Sequence, residues 1–270
     1  MYNQTAIITG ASEGLGKSFA VEMAQQNCNL VLVALPQSGL PQLAAFIRRN
    51  FAINVWYFEM DLTQTQSCVE LFTSLEKQGI TADILINNAG LGNWAWFEEK
   101  SLQFYRTQIE LNIITPVLLT RLFLAQVNRQ QRSYLMNVGS LGGLFIVPRK
   151  QVYGATKSFI RYFTNCLRME LSNSKTSVTL LSPGGINTKP ELLVLNHSIK
   201  GISRYTILEP EQVAKVALKG MFRGKKEIIP GRLNRILVGL NAILPPSLKE
   251  YIIQRQVKGM FDGDLAGLKG

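Results

Sequence analysis

The stretch that decides the fold is Ser140–Lys157, which reads Ser-Leu-Gly-Gly-Leu-Phe-Ile-Val-Pro-Arg-Lys-Gln-Val-Tyr-Gly-Ala-Thr-Lys. A buried strand is predicted before it, over Ser133–Val138, and apolar residues at helical spacing follow it. Tyr153 and Lys157 are four residues apart, so on a helix their side chains share one face. Ser140 comes just after the strand, where open parallel sheets bind their ligands.

These residue types suit proton transfer. A free tyrosine has a pKa near 10, and a neighbouring ammonium group favours the phenolate, which moves the pKa toward neutrality. Tyr153 is therefore a candidate general acid/base, and the Ser140 hydroxyl is a candidate for polarising a carbonyl group. A tyrosine and a lysine four residues apart also occur in ordinary amphipathic helices, so the rest of the chain has to decide.

Working outward, strand-like and helix-like runs alternate, which predicts crossover units and a parallel sheet. The predicted strands are Thr5–Thr9, Asn29–Ala34, Ile53–Phe58, Ala82–Ile86, Ser133–Val138, Ser177–Leu181 and Glu227–Ile229. The predicted helices are Gly14–Gln26, Gly39–Asn50, Gln64–Gln78, Ser101–Asn128, Lys150–Ser172 and Glu209–Arg223. This order predicts an α/β fold, a doubly wound parallel sheet of seven strands (Rossmann fold). We expect one domain over residues 1–230 and a helical extension over 231–270.

The turn after the first strand is rich in glycine and reads Thr9-Gly-Ala-Ser-Glu-Gly-Leu-Gly16. Glycines at this position let the backbone turn sharply and approach a pyrophosphate, which the following helix N-terminus then binds. The spacing, Gly-x₃-Gly-x-Gly, differs from the usual Gly-x-Gly-x-x-Gly pattern. A tight strand-to-helix corner remains the alternative to a dinucleotide site.

With these motifs the chain resembles the short-chain dehydrogenase/reductase family, of the compact single-domain type. The matching pieces are Thr9–Gly16, Asp61-Leu62, Asn87-Asn-Ala-Gly90, Asn112, Ser140, Tyr153-x₃-Lys157 and Pro183-Gly-Gly-Ile-Asn-Thr188, in family order. The resemblance implies an NAD(P)(H)-dependent oxidoreductase that interconverts a carbonyl and an alcohol. A catalytically idle dinucleotide-binding sensor or scaffold is the alternative.

The resemblance also implies residue roles. Catalysis would fall to Asn112, Ser140, Tyr153 and Lys157. Nucleotide binding would fall to Gly10, Ser12, Glu13, Gly14, Leu15, Gly16, Asp61, Leu62, Asn88, Ala89, Gly90, Tyr153, Lys157, Pro183, Gly184, Ile186 and Thr188. Asp61 would bind the adenine amino group, Thr188 the carboxamide, and Asn112 a water leading protons to Lys157. A buried polar residue that satisfies local backbone is the other interpretation of Asn112.

The cofactor is expected to be NADP(H) in preference to NAD(H). NAD-binding members place an acidic residue after the second strand, and NADP-binding members an arginine nearby. Residues 34–38, Ala-Leu-Pro-Gln-Ser, contain neither. Lys17, Gln37 and Ser38 are candidates for contact with a 2′-phosphate.

Two segments are expected to face the substrate. Leu91–Phe97 contains three large aromatic residues, which either wall an apolar pocket or pack on the next helix. Residues 189–206 correspond to the family's substrate lid, and Leu192, Leu193, Leu195 and Ile199 make it apolar, which indicates a lipophilic substrate. His197, within the lid, is interpreted as a surface residue.

Composition excludes several classes of protein. The chain has 270 residues, 46% hydrophobic and 17% charged, as expected of a globular protein. We expect no secretory signal, and no apolar run approaches the roughly 18 residues of a membrane span. Cys28, Cys68 and Cys166 suit a reducing cytoplasm, and with His197 the only histidine no metal site is expected.

The net charge of +11 is concentrated toward the end of the chain, where residues 219–270 contain ten Lys/Arg and four Asp/Glu. Two basic helices are predicted there, Pro230–Leu244 and Ser247–Met260. They either dock on the domain or a second subunit, or contact an anionic membrane surface. Nucleic-acid binding is not expected, because no nucleic-acid module accompanies the charge. The family resemblance implies a homodimer or homotetramer.

Overall fold

The computed structural model describes residues 4–187 and 206–267, and its centre is one parallel sheet in the order β3-β2-β1-β4-β5-β6-β7. The strands are β1 Thr5–Thr9, β2 Asn29–Ala34, β3 Val55–Glu59, β4 Ile84–Asn87, β5 Ser133–Val138, β6 Thr176–Leu181 and β7 Glu227–Ile228. The predicted doubly wound sheet of seven strands is therefore confirmed, and each strand starts and ends within two residues of its predicted bounds.

Helices cover both faces of the sheet. They are α1 Gly14–Gln25, α2 Leu40–Asn50, α3 Thr65–Lys77, α4 Leu102–Ile109, α5 Thr115–Gln126, α6 Gln151–Glu170, α7 Pro210–Phe222, α8 Arg232–Ile243 and α9 Pro246–Gly267. Short 3₁₀ turns lie at Phe97–Glu99 and Leu141–Gly143.

The prediction of one unbroken helix over Ser101–Asn128 was wrong in detail. Between α4 and α5 the backbone widens into a π-helical turn, Glu110–Ile114. Such turns are rare and often lie at functional sites. Asn112, in this turn, bonds with its side chain to a neighbouring loop, and Pro116 in the first turn of α5 offers no N–H to a regular α-helical ladder.

Alternate strand residues feed two hydrophobic cores, as expected for a parallel sheet buried on both faces. Ile8, Leu30 and Leu32 pack with α1, α2 and α7 on one face. Ile7 and Val31 pack with α3 and α5 on the other. The central strands are therefore buried on both faces, whereas the edge strand β3 is partly exposed.

The strand order reverses between β1 and β4, which are neighbours in the sheet. Ligands of doubly wound sheets bind outside the carboxyl ends of the strands at this switch point. The glycine turn after β1 and the segment after β4 both lie there, so the sequence motifs converge on one crevice.

By length and composition alone, one helical stretch, Leu102–Gln126, would be able to cross a membrane, which the sequence analysis did not predict. Its mean hydropathy is 1.3. In the structure, α5 packs on α3, and Leu119 and Phe123 belong to the hydrophobic core. We interpret the stretch as a core layer of the fold.

The last two helices follow β7. Asn234 anchors the start of α8, because its buried Nδ2 donates to Thr206 O at 3.1 Å and to Pro230 O at 2.9 Å. Beyond this anchor, Ile236, Leu240 and Ile243 are exposed. Thus α8 docks on the domain at its beginning and presents apolar side chains outward further on.

Candidate active site

The glycine turn is shaped by backbone geometry that only glycine adopts readily. Gly10 has φ +63° and Gly14 has φ +50°. A Cβ on Gly16 would lie 1.9 Å from the carbonyl oxygen of Gly10, so the turn and α1 approach more closely than any other residue allows. Ser12 is partly buried, Glu13 is exposed, and Leu15 is in the core.

The segment after β4 clamps this turn. The Asn88 amide Nδ2 donates to the carbonyl oxygens of Thr9 at 2.9 Å and Gly10 at 3.2 Å. The Thr9 hydroxyl accepts from the backbone N–H groups of Asn88 and Ala89, both at 3.0 Å. Asn88 was predicted to pack near the cofactor, and the structure adds that its side chain fixes the shape of the turn.

The residues around this turn fit a dinucleotide. The helix N-terminus of α1 opens toward the crevice, and no side chain of the described residues caps it. Unbonded N–H groups and the helix dipole favour a bound phosphate. Because its glycines carry no side chains, a pyrophosphate can approach the backbone of this turn.

Asp61 and Leu62 follow β3, as predicted. The Asp61 Oδ1 accepts from Thr63 N at 2.9 Å and from Thr63 Oγ1 at 2.8 Å, so it also forms a local turn. Leu62 is buried, and its carbonyl accepts from Thr115 Oγ1 at 2.6 Å. Asp61 thus lies at the sheet edge where an adenine would bind, with its orientation fixed.

A carboxylate that the sequence analysis missed lies beside the turn after β2. Gln37 has φ +60°, and its N–H donates to Glu59 Oε1 at 3.0 Å. Glu59 ends β3 and pairs in register with Ala34. The sequence analysis looked only at residues 34–38 and not at the end of the neighbouring strand.

The predicted catalytic residues come together at the carboxyl ends of β4 and β5. Ser140 and Tyr153 both lie against Gly142, where an added Cβ would be 3.4 Å from Ser140 Oγ and 3.5 Å from Tyr153 Cε1. The Ser140 hydroxyl also accepts from Gly142 N at 3.0 Å. Lys157 Nζ donates to Val138 O at 2.8 Å and lies 5.8 Å from the centroid of the Tyr153 ring.

The ionisation of this group differs from the prediction that Lys157 draws the tyrosine pKa toward neutrality. Burial raises the pKa of Tyr153, and the nearby Ser140 side chain lowers it by a smaller amount. Burial also lowers the pKa of Lys157 to about 8. Desolvation, which penalises both charged forms, is the largest cause of the shift at each residue.

Asn112 fixes the loop after β4. Its Oδ1 accepts from Leu91 N at 2.8 Å, and its Nδ2 donates to Leu91 O and Thr156 Oγ1, each at 3.0 Å. A Cβ on Gly90 would lie 3.2 Å from Asn112 Oδ1 and 3.5 Å from Lys157 Nζ. The side chain is therefore engaged in three protein hydrogen bonds, as the buried-polar interpretation expects, and the water relay stays a prediction.

The last predicted motif lies at the carboxyl end of β6. Pro183 O accepts from Leu141 N at 2.8 Å, which joins this segment to the Ser140 turn. A Cβ on Gly184 would lie 2.9 Å from Asn234 Nδ2, and Ile186 bridges to Leu208. Thr188, His197 and the lid over 189–205 lie outside the described residues.

The aromatic loop divides between the two alternatives left open by its sequence. Phe97 packs on α4, with its ring stacked on that of Tyr105 at a centroid distance of 5.0 Å. Trp94 instead faces the catalytic helix, where Lys150 Nζ lies 5.3 Å from its ring centroid. The sequence analysis missed Lys150, although it directly precedes the helix that carries Tyr153.

A chain of buried polar side chains, also missed, supports the catalytic edge. Asn87 Nδ2 donates to Asn137 Oδ1 at 2.8 Å, and Asn137 Nδ2 donates to Thr164 Oγ1 at 2.9 Å. The chain therefore ties β4 to β5 and β5 to α6. Among the described residues, no cluster of His, Cys, Asp and Glu is fit to hold a metal ion.

Comparison with known proteins finds matches over most of the chain. The family model described as short chain dehydrogenase matches residues 4–194. The NADP-dependent 3-hydroxy acid dehydrogenase of Schizosaccharomyces pombe is 28% identical over 236 residues, covering 85% of this chain and 91% of that protein.

Two further matches are informative. The very-long-chain 3-oxoacyl-CoA reductase of Macaca fascicularis is 28% identical over 190 residues, which is 68% of this chain but only 60% of the relative. A short-chain dehydrogenase from Sphingobium yanoikuyae, solved in complex with NADPH, superposes with a TM-score of 0.75 at 26% identity. That match covers 90% of this chain and 97% of the solved one.

Proposed function

The chain belongs to the short chain dehydrogenase family of oxidoreductases, and from that premise we propose that it interconverts a carbonyl and an alcohol on an apolar substrate, with Tyr153 as the general acid/base. The observation that carries the proposal is that Ser140, Tyr153 and Lys157 lie together at the sheet's carboxyl edge, with Ser140 and Tyr153 both against Gly142 and Lys157 Nζ 5.8 Å from the Tyr153 ring centroid. These residues lie beside a glycine turn built for a dinucleotide.

Each catalytic side chain has a distinct task. Ser140 and Tyr153 would hold the substrate oxygen by two hydrogen bonds, and Tyr153 would give it a proton during reduction or take one during oxidation. The ammonium of Lys157 favours the phenolate that remains after proton donation. The nicotinamide, when bound, supplies or accepts the hydride.

We expect NADP(H) to be preferred over NAD(H). Support comes from the lack of a carboxylate in residues 34–38 and from Lys17, exposed in the first turn of α1. Glu59 acts in the opposite direction, because a negative charge beside this turn repels a 2′-phosphate. Glu59→Gln should therefore increase the ratio of NADP to NAD affinity several-fold, and an unchanged ratio would show that the carboxylate does not face the ribose.

An apolar substrate is supported by Trp94, whose large exposed ring lies next to the catalytic helix. The name of the macaque relative, a very-long-chain 3-oxoacyl-CoA reductase, is in line with a lipophilic substrate. The residues of the lid, three leucines among them, supply the same character in sequence.

The proposal is tested by titrating the pure protein with NADP and NAD and then assaying a panel of aliphatic, acyl and steroid-like ketones with the preferred reduced cofactor. We expect micromolar nucleotide binding and oxidation of the cofactor with at least one ketone. Nucleotide binding without turnover on any ketone would contradict the enzymatic assignment and favour an idle sensor or scaffold.

We also propose a homodimer or homotetramer formed through α6. Phe159, Tyr162 and Met169 are exposed on this helix, and Tyr162 is 75% accessible. Large exposed apolar side chains of this kind often mark an interface. Light scattering on the full chain tests this: Tyr162→Glu should reduce the measured mass, and an unchanged monomeric mass in both proteins would contradict it.

We propose that the C-terminal helices contact an anionic membrane surface and that the protein lies at this surface in the cytoplasm. On α8, the exposed residues Ile236, Leu240 and Ile243 follow the spacing i, i+4, i+7, so they share one face. Arg232 lies one turn before Ile236, and Arg235 is next to it; both are exposed. An apolar stripe beside cationic side chains matches a headgroup layer.

Flotation of the full chain with vesicles tests this contact. The protein should float with vesicles of phosphatidylcholine and phosphatidylserine, and less at high salt or with phosphatidylcholine alone. The double variant Arg232→Glu, Arg235→Glu should abolish flotation. Arg129→Glu, in the loop between α5 and β5, should not. Equal flotation of all variants, or none at all, would contradict the contact.

A further inference from the structure

Lys150 holds a position at the active site that the reaction itself does not explain. It is the residue at which α6 begins, three residues before Tyr153. Its Nζ lies 5.4 Å from the ring centroid of Tyr153 and 5.3 Å from that of Trp94. The ammonium group thus lies close to both the Tyr153 ring and the Trp94 ring.

This cation has no negative partner in the part of the chain that the structure describes. None of the ion pairs there involves Lys150, and the side chain is only partly accessible. Burial lowers its pKa, which shows that the site is partly desolvated. Contacts with aromatic rings stabilise the ammonium group only modestly. A carboxylate at the same place would form a charge-assisted hydrogen bond with it.

The turn that presents Lys150 is fixed to the aromatic loop. Arg149 has φ +67°, which is unfavourable for any residue but glycine. Its carbonyl oxygen accepts from Ala95 N at 3.0 Å, and its guanidinium lies 5.1 Å from the ring centroid of Trp96. A strained turn held in this way keeps the neighbouring ammonium group in place.

We propose that Lys150 binds a carboxylate of the substrate, carried close to the reacting carbon, and thereby makes the enzyme selective for oxo and hydroxy acids over their neutral analogues. The inference rests on the proposed function, since Tyr153 defines where the reacting carbon lies. Trp94 would then contact the apolar remainder of the acid.

The test compares 3-hydroxyoctanoate with its methyl ester, which has the same chain but no charge. Oxidation by NADP is measured for the unmodified protein, Lys150→Met and Lys150→Arg. Lys100→Met is the matched control, because Lys100 also lies over an aromatic ring, that of Phe104, but on an exposed surface.

We expect Lys150→Met to lower kcat/KM for the acid about 10- to 100-fold, mainly through KM, and to leave the ester within about twofold. Lys150→Arg should retain most of the selectivity, and Lys100→Met all of it. An equal loss on acid and ester would show that Lys150 acts on Tyr153 instead of the substrate and would overturn the proposal. No loss on the acid would overturn it too.

A tryptophan fluorescence titration with the same two compounds separates this proposal from the proposed function. Suppose that the acid binds and that Lys150→Met weakens binding of the acid but not of the ester. The carboxylate subsite then stands even where no oxidation occurs, and only the proposed function fails. If oxidation occurs without discrimination between acid and ester in any variant, the proposed function stands and the subsite is refuted.

Discussion

The two halves of the sheet bury different kinds of side chain. In the nucleotide half, β2 buries Leu30–Ala34, all of them apolar, against helices on both faces. In the catalytic half, β4 and β5 bury Asn87 and Asn137 and join them to Thr164 of α6. The first half is held by hydrophobic packing, and the second by packing together with a chain of directional bonds.

The difference follows from what each half has to position. A nucleotide binds through backbone groups at a glycine turn, and the polar groups that hold this turn, Thr9 and Asn88, lie at the turn itself. The proposed catalysis instead requires that Ser140, two residues beyond the end of β5, meet Tyr153 and Lys157 on α6. Hydrogen bonds fix such distances more sharply than packing, because each bond tolerates only a narrow geometry.

The largest expected effect comes from cutting the polar chain of the catalytic half. Asn137→Leu removes two hydrogen bonds and leaves the Thr164 hydroxyl and one Asn87 amide hydrogen short of partners, so it should lower the free energy of unfolding by about 3 kcal/mol. Ile8→Val in the nucleotide half should cost about 1 kcal/mol. Urea unfolding measures both, and similar losses would erase the distinction between the halves.

A second effect of the catalytic half is a stability that depends on pH through Lys157. Its pKa is about 8 when folded and near 10.5 when unfolded, so between these values the unfolded chain binds the extra proton. The unmodified protein should therefore gain about 2 kcal/mol relative to Lys157→Met as pH rises from about 8 to 10.

Urea unfolding of both proteins across this range measures that gain. Below about pH 8 the lysine is protonated in both states, so the difference between the proteins should be nearly constant there. If this difference in the free energy of unfolding decreases with pH, or does not change, the buried lysine keeps its ordinary pKa.

The nucleotide half is tested by a pair of glycine substitutions. Gly10→Ala places a Cβ 2.9 Å from Ala89 Cα at φ +63°, whereas Gly79→Ala has φ +66° and no atom within 4 Å. Both should lose about 1 kcal/mol to backbone strain, but only Gly10→Ala should also weaken nucleotide binding, about tenfold or more. Calorimetry measures NADP binding to both variants. Equal affinities would contradict the claim that the glycine turn binds the nucleotide.

The same contrast explains what the sequence could predict. The strands, the glycine turn and the pair Tyr153–Lys157 are local patterns, so their positions followed from hydropathy and spacing. Asn137 and Thr164 are far from Asn87 in sequence, and unlike Asn87 neither belongs to a motif of the chain. The roles of Glu59 and Lys150 depend on neighbouring elements of the fold, which the local sequence does not show. The balance between burial and charge at Tyr153 likewise depends on the folded site.

The most direct test of the account is Tyr153→Phe, which removes one oxygen atom and keeps the ring. Tyr162→Phe is its control, because Tyr162 lies on the same helix but is exposed. We predict that Tyr153→Phe lowers turnover at least about 10³-fold while binding NADP with nearly unchanged affinity, and that Tyr162→Phe matches the unmodified protein. Retained turnover in Tyr153→Phe would contradict the assignment of the acid/base at the carboxyl edge of the sheet.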